Sequence, residues 1–200
     1  MKYILSGFQV AVYEYSQDTV YKKPLSFFQR TMTIVRDEPK LLLKPLELIR
    51  WSIGLGTVLK ESLERISKRT DLWGDIGCPV IESSGAYYQQ KVTQIYDHAD
   101  NLNGTQYKKL IDDFVEFAYY LLTEKGVIDK CFGFASNFSV HEGRIVLMDI
   151  GETYFDEESF IEEISNRKWT EPSVLMGVRK DFVNYWIEKM DAKFLPYLKK

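Results

Sequence analysis

The feature that most constrains the fold is the separation of strand-type and helix-type patterns along the chain. Residues 2–5, 9–15 and 19–22 are rich in Val, Ile and Tyr and are divided by turn-forming residues, which predicts a three-stranded meander. Residues 80–82 and 86–93 predict two further strands. Because the later patterns are mainly helical, we expect an α+β fold with an antiparallel sheet first.

The clearest helical pattern lies between Thr105, which we expect to cap the helix, and Gly126, which we expect to end it. Its apolar residues recur on one face, and they are Leu110, Ile111, Phe114, Phe117, Ala118, Leu121 and Leu122. Residues 138–140 and 144–148 then predict a hairpin, and two more helices follow, with Phe160 on the first and Trp186 on the second.

An earlier helix is predicted after the helix-breaking residues 37–39. Its apolar positions are Ile49, Ile53, Leu59, Leu63 and Ile66. Gly54 and Gly56 fall within this run, and since glycine disfavours helix interiors, we expect them to break or kink it.

Composition excludes several classes of protein. The chain has 26 Lys plus Arg against 29 Asp plus Glu, a net charge of −3 that gives no basis for binding nucleic acid. Charged residues interrupt the most apolar window, residues 41–59, which disfavours a membrane span. Two cysteines cannot form a disulfide framework, Cys131 is best explained as a packed thiol, and we expect a reduced, cytoplasmic protein without a targeting segment.

Three segments resemble motifs of the protein-kinase fold. Residues 6–13, with Gly7, resemble a reduced glycine-rich loop, and residues 19–24 resemble the third strand, which ends in the phosphate-binding lysine. Residues 135–152 resemble the catalytic-loop asparagine followed by a variant of the Asp-Phe-Gly motif. The resemblance implies a minimal two-lobed kinase-like fold, with lobes at residues 1–93 and 94–200 joined by a linker within residues 91–103.

This resemblance implies ATP and Mg²⁺ as ligands. Asn137 and Asp149 flank the predicted hairpin and would hold the metal through hard oxygen atoms. Lys22 would contact the phosphates, while its neighbour Lys23 points to the opposite face. A glutamate on the preceding helix would steady Lys22, and Glu61 is preferred to Glu64.

The purine would lie against Val12 and Val20. The backbone of Lys91, Val92 and Thr93 would contact its edge.

A bacterial group, the PhoP-regulatory-network kinase-like family, is similar in more detail. It pairs a catalytic-loop asparagine with an Asp-x-Gly-Glu sequence, which is found here at residues 149–152. The similarity runs through most of the chain in order, and residues 110–152 carry its most specific part.

The pattern departs from that of an active kinase at the catalytic base. The usual aspartate precedes the asparagine by five residues, and Phe132 occupies that position here. Asp129, eight residues before Asn137, is a candidate base if the loop is altered. Of the three glycines in the usual glycine-rich loop, this sequence keeps only Gly7. These departures leave open whether the chain is a divergent phosphotransferase or a pseudokinase.

Simpler roles are open to some of the same residues. Asp149 could cap the turn that follows it, and His98 and His141 fit surface positions better than they fit a zinc site. The chain could be a nucleotide-free regulatory module whose exposed aromatic residues bind a protein partner; the candidates are Phe27, Phe28, Trp51 and Trp73. A third alternative is an α+β domain unrelated to kinases.

Overall fold

A computed structural model describes residues 1–130 and 132–199. The chain divides into two compact units, Met1–Lys91 and Val92–Lys200. Cys131, predicted to be a packed thiol, lies outside the described residues. Each unit combines antiparallel strands with helices, so the predicted α+β class is confirmed.

The first unit is built on an antiparallel sheet in the order β1-β2-β3-β5-β4. The strands are β1 (Lys2–Ser6), β2 (Val10–Glu14), β3 (Thr19–Pro24), β4 (Val80–Ile81) and β5 (Tyr87–Gln90). Hydrogen bonds join β1 to β2 and β2 to β3, which confirms the predicted meander.

Two helices follow the meander, α1 (Phe27–Asp37) and α2 (Pro45–Ser67), joined by a 3₁₀ turn. Ser26 caps α1 in a capping box with Gln29, whose side chain accepts a hydrogen bond from the Ser26 amide at 3.0 Å. Pro39 begins the 3₁₀ turn, in agreement with the breaker predicted there.

The predicted interruption of α2 is wrong, because the helix runs unbroken through Gly54 and Gly56. Two glycines cost about 2 kcal/mol of helix propensity at about 1 kcal/mol each, which packing of the inner face can outweigh. That inner face is buried at Leu48, Leu55, Leu59, Leu63 and Ile66.

Ile49 and Ile53, also predicted for the inner face of α2, are instead 42% and 53% exposed.

The second unit begins in the segment predicted to be a linker. It contains a three-stranded sheet in the order β6-β8-β9 and a separate pair, β7 with β10. The strands are β6 (Thr93–Gln94), β7 (Ile128–Asp129), β8 (Phe138–His141), β9 (Arg144–Leu147) and β10 (Thr153–Tyr154). The helices are α3 (Ile95–Ala99), α4 (Gly104–Lys125), α5 (Glu157–Ser165), α6 (Pro172–Leu175) and α7 (Val183–Phe194). Residues 93–99 are therefore structured parts of this unit.

The long helix α4 confirms the predicted apolar face but not its predicted cap. Asn103, not Thr105, accepts the amide hydrogen of Gln106 at 3.0 Å, and the Gln106 side chain completes a capping box. Gly126 ends the helix with φ +60°, as predicted, because that left-handed conformation is easiest for glycine.

The core of the second unit is aromatic. Phe114, Phe132, Trp169, Trp186 and Phe194 are each at most 1% exposed. Phe132 packs edge-on against Trp169 and Phe194, with ring centroids 5.4 and 5.1 Å apart. Much of the chain's aromatic content therefore serves to pack this unit.

The helices of the described residues include none that is both long enough and apolar enough to cross a membrane.

Candidate functional site

The loop between β7 and β8 brings together two of the predicted residues. The Asn137 side-chain amide donates to Oδ1 of Asp129 at 2.9 Å, and the Gly133 backbone amide donates to Oδ2 at 2.7 Å. Asp129 closes β7, Asn137 precedes β8, and the loop turns back at Phe132, whose φ is +47°. The eight-residue separation in sequence thus becomes a direct contact.

Burial controls the acidity of Asp129, which is 3% exposed. It raises the pKa of this carboxyl from its ordinary value to about 7. The hydrogen bonds from Gly133 and Asn137 oppose the rise, and the negative charges of Glu152 and Asp149 add to it. Asp129 therefore changes its charge near neutral pH.

Asp149 lies beside Asn137 through the backbone. The amides of Met148 and Asp149 both donate to the Asn137 carbonyl, at 2.7 and 3.1 Å. Oδ1 of Asp149 accepts from the Gly151 amide at 3.1 Å and caps a short 3₁₀ turn, which is the capping role that the sequence also allowed. We call the group of Asp129, Asn137, Asp149 and Glu152 the carboxylate–amide cluster.

The pairing of β7 with β10 positions Glu152, the last member of this cluster. Asp129 pairs in register with Thr153, and the Lys130 amide donates to the Glu152 carbonyl at 2.9 Å. The Asp-x-Gly-Glu sequence is thereby folded back onto the strand that carries Asp129.

Two residues of the cluster carry oxygen donors of the kind that Mg²⁺ accepts. The described residues contain no group of three His, Cys, Asp or Glu side chains placed to hold an ion. Asn137 and Asp149 offer an amide oxygen and a half-buried carboxylate. Mg²⁺ commonly uses only one or two protein carboxylates and completes its shell with other oxygen ligands, so the chemistry of these two side chains fits Mg²⁺.

The predicted phosphate-binding residues belong to the first unit. Lys22 is half-buried, pairs in register with Val12 and Tyr87, and holds Nζ 5.7 Å from the centroid of the Tyr87 ring. Lys23 is exposed on the opposite face, as predicted. Glu61 lies exposed on α2, and an ion pair between Lys22 and Glu61 stays a prediction.

Two cavities lie on α2 in this unit. One of about 520 Å³ is lined by Pro24, Leu59, Leu63 and Glu64, together with the turn between β4 and β5. The other, of about 540 Å³, is lined on its far side by Glu61. Of the two glutamates that the sequence offered as partners of Lys22, Glu64 lines both cavities and Glu61 lines the second.

The remaining predicted nucleotide contacts have structural roles. Gly7 forms the turn between β1 and β2, where its amide donates to the Val10 carbonyl at 3.0 Å. Lys91 forms an ion pair with Glu14 at 2.7 Å. Val92 and Thr93 begin the second unit, and contact of residues 91–93 with a purine stays a prediction.

Sequence reasoning missed the residue that makes the cluster possible. A β-carbon on Gly133 would lie 2.8 Å from Cγ of Asn137 and 2.9 Å from Oγ of Ser136. Phe132, which occupies the usual base position, is buried in the aromatic core instead. A lone glycine between two phenylalanines in the sequence was the available signal.

No protein-family model matches the chain, and no curated protein matches it. The resemblance to the PhoP-regulatory-network kinase-like family therefore stays a prediction.

Proposed function

We propose that the chain is a kinase-like protein of two lobes that binds ATP with Mg²⁺, as a divergent phosphotransferase or a regulatory pseudokinase. The observation that carries the proposal is the carboxylate–amide cluster, in which an asparagine and an aspartate that flank a hairpin meet at one carbonyl group. That contact joins the Asp149 amide to the Asn137 carbonyl, and both residues carry side-chain oxygen atoms of the kind that a phosphate-bound Mg²⁺ accepts.

In this proposal three residues of the cluster have assigned tasks. Asn137 and Asp149 would hold the metal, which when bound would neutralise phosphate charge. Asp129 accepts a hydrogen bond at each carboxylate oxygen, so it acts first as a positioning residue that orients Asn137. Its pKa of about 7 also suits proton acceptance near neutral pH, so a role as base stays a prediction.

The test compares Asp149→Asn with wild type in calorimetric titrations of a non-hydrolysable ATP analogue and Mg²⁺. Asparagine keeps an oxygen that can accept from Gly151 but removes the charge. We expect at least a tenfold loss of affinity, equal to about 1.4 kcal/mol. Asp156→Asn is the matched control, because Asp156 also caps a helix, accepting from Ser159 at 2.9 Å, and lies outside the cluster.

Two results would overturn the binding proposal: no binding by the wild type at millimolar analogue with Mg²⁺, or equal binding by the Asp149→Asn variant. Transfer of radiolabelled phosphate to the protein or to a generic acceptor then separates enzyme from pseudokinase. If Asp129 is the base, Asp129→Asn abolishes transfer and retains analogue binding.

A second candidate function, a nucleotide-free interaction module, is favoured by exposed aromatic residues. Phe27, Phe28, Trp51 and Trp73 are 44%, 71%, 39% and 42% exposed. Large apolar side chains at the surface mark many protein interfaces. A pull-down with the double variant Phe27→Asp, Phe28→Asp tests this surface, with Ile161→Asp as control because Ile161 is 45% exposed on α5. Partners retained by the double variant would contradict a role for this surface.

A further inference from the structure

Four strands of the first unit carry tyrosines that are in register with one another. Tyr3 pairs with Tyr13, Tyr13 with Tyr21, and Tyr21 with Tyr88. Directly paired residues of antiparallel strands project from the same face of a sheet. Tyr15, just beyond β2, adds a fifth ring, and we call these five residues the tyrosine ladder.

The rings of the ladder touch in sequence. From Tyr15 to Tyr88, on to Tyr21, Tyr13 and Tyr3, successive centroids are 4.8, 5.0, 6.3 and 5.8 Å apart. The planes of neighbouring rings are inclined by 45° to 71°. Both ends are open to solvent, since Tyr15 is 56% and Tyr3 is 54% exposed.

Helix α1 extends this surface. Phe28 and Met32, 71% and 54% exposed, line a groove of about 360 Å³ with Tyr3 and Tyr13. The ladder and the groove together form a continuous aromatic and apolar surface within one unit.

Charges of both signs lie beside the ladder: Lys23 is exposed and, in register with Ala11, projects from the same face as Tyr21. The Glu82 carboxylate forms hydrogen bonds with the hydroxyls of Tyr88 and Ser84, the latter at 3.1 Å. Stacked aromatic rings on a sheet can bind single-stranded nucleic acid, but such sites also need cations along the backbone path. Lys23 alone does not supply such a path, and the Glu82 carboxylate beside Tyr88 favours a neutral ligand that carries a positive charge at that end of the ladder.

We propose that the tyrosine ladder binds a proline-rich peptide segment in the polyproline II conformation, with a basic residue positioned beside Glu82. A polyproline II helix has three residues per turn and a fully solvated backbone. Its carbonyl groups make no internal hydrogen bonds and can accept from tyrosine hydroxyls. Prolines lose little conformational entropy when they dock between aromatic rings.

The test is calorimetric titration with a blocked decapeptide of nine prolines ending in arginine. A glycine–serine decapeptide ending in arginine and a proline decapeptide ending in glutamate are the comparison peptides. We expect the proline–arginine peptide to bind at least fivefold more tightly than either. Glu82→Gln should remove the preference for arginine over glutamate.

Two variants remove a ring from the ladder, and a third variant is the control. Tyr21→Thr removes the central ring and keeps a strand-forming residue. Tyr15→Ser removes an end ring outside any strand, so it keeps the test valid if Tyr21→Thr does not fold. Each should weaken binding at least fivefold, while Tyr96→Thr, the control on α3, should not, since Tyr96 is 58% exposed in the other unit.

Several results would overturn the proposal. One is binding of the glycine–serine peptide as tight as that of the proline–arginine peptide, and another is wild-type affinity for the proline–arginine peptide in the folded Tyr15→Ser variant. The others are tighter binding of an oligothymidylate than of the proline–arginine peptide, or sedimentation showing that the ladder joins two copies of the chain. Asp149→Asn should bind the peptide as the wild type does, so this proposal and the nucleotide proposal can fail separately.

Discussion

At the scale of single residues, the contact between Asp129 and Asn137 determines what the candidate site can do. A carboxylate buried to this degree incurs a desolvation penalty, and two hydrogen bonds only partly offset it. The compensating gain is geometric, because the bond from the Asn137 amide to Asp129 and the bond from the Ser136 hydroxyl to Oδ1 of Asn137, both 2.9 Å long, orient the Asn137 side chain. Gly133 permits this arrangement because it has no side chain.

The raised pKa of Asp129 predicts an unusual dependence of stability on pH. Its pKa is about 7 in the folded protein and about 3.9 in an unfolded chain. The folded state therefore keeps a proton that the unfolded state has lost between about pH 4 and pH 7, so the free energy of unfolding falls as pH rises through this window. The full effect is at most about 4 kcal/mol, at about 1.4 kcal/mol per pH unit.

Urea denaturation from pH 4 to pH 8 measures this effect. Asp129→Asn should remove most of the fall, whereas Asp156→Asn should keep it. A wild-type slope retained by the Asp129→Asn variant would show that Asp129 titrates normally.

Gly133→Ala should disrupt the cluster without removing any of its charges. The added β-carbon would lie within 3 Å of Asn137 and Ser136, and such overpacking costs about 1–3 kcal/mol. We expect a lower midpoint of urea denaturation and weaker binding of the ATP analogue. Gly74→Ala is the control, because a β-carbon there meets nothing within 4 Å. Equal behaviour of the two variants would mean that the loop adapts freely.

At the scale of elements, α2 is a helix whose two glycines have different environments. The Arg30 guanidinium donates to the Ser52 carbonyl at 3.1 Å and to the Leu25 carbonyl, which fixes it over Gly56. A β-carbon on Gly56 would lie 2.7 Å from Cζ of Arg30, whereas one on Gly54 would meet nothing within 4 Å. Only Gly56 is therefore required by packing.

Alanine substitutions in α2 should have opposite effects. Gly54→Ala should raise the free energy of unfolding by about 0.5–1 kcal/mol, since alanine is the better helix former. Gly56→Ala should lower it, because Arg30 must move from its carbonyl partners. Chemical denaturation of both variants provides the measurement, and stabilisation by Gly56→Ala would contradict the packing role of Arg30.

At the scale of the whole molecule, the chain is two units with different kinds of core. The first unit packs two helices with a five-stranded sheet. The second is organised around an aromatic cluster in which the Trp186 indole donates to the Trp169 carbonyl at 2.9 Å. The Trp169 indole in turn donates to Asp191 at 3.0 Å. Both buried indole nitrogens are thus satisfied inside the second unit.

The second unit should therefore fold without the first. We expect a fragment of residues 92–200 to unfold cooperatively and to give a near-ultraviolet circular dichroism signal from its buried tryptophans. Phe132→Ala should abolish that transition, since such truncations cost about 3–5 kcal/mol, while Tyr96→Ala should preserve it. A fragment without a cooperative transition would show that this unit depends on residues 1–91.

The local features of this protein could be predicted from its sequence. Alternating Val, Ile and Tyr predicted the meander, the apolar face of α4 was visible at helical spacing, and Gly126 was the residue that ended that helix. These features depend on backbone preference and periodicity, which neighbouring residues specify. Asn137 and Asp149 were selected instead by the resemblance of residues 135–152 to the kinase catalytic loop and Asp-Phe-Gly motif.

Features that depend on contacts between residues distant in sequence became apparent in the three-dimensional structure. The continuity of α2 depends on packing that outweighs glycine propensity, and the direction of Ile49 and Ile53 depends on which face of α2 is packed. The contact of Asp129 with Asn137 required the loop to turn back at Phe132. The tyrosine ladder depends on the register of four strands, one of which lies more than sixty residues further along the chain. Such register is set by long-range pairing and not by local sequence.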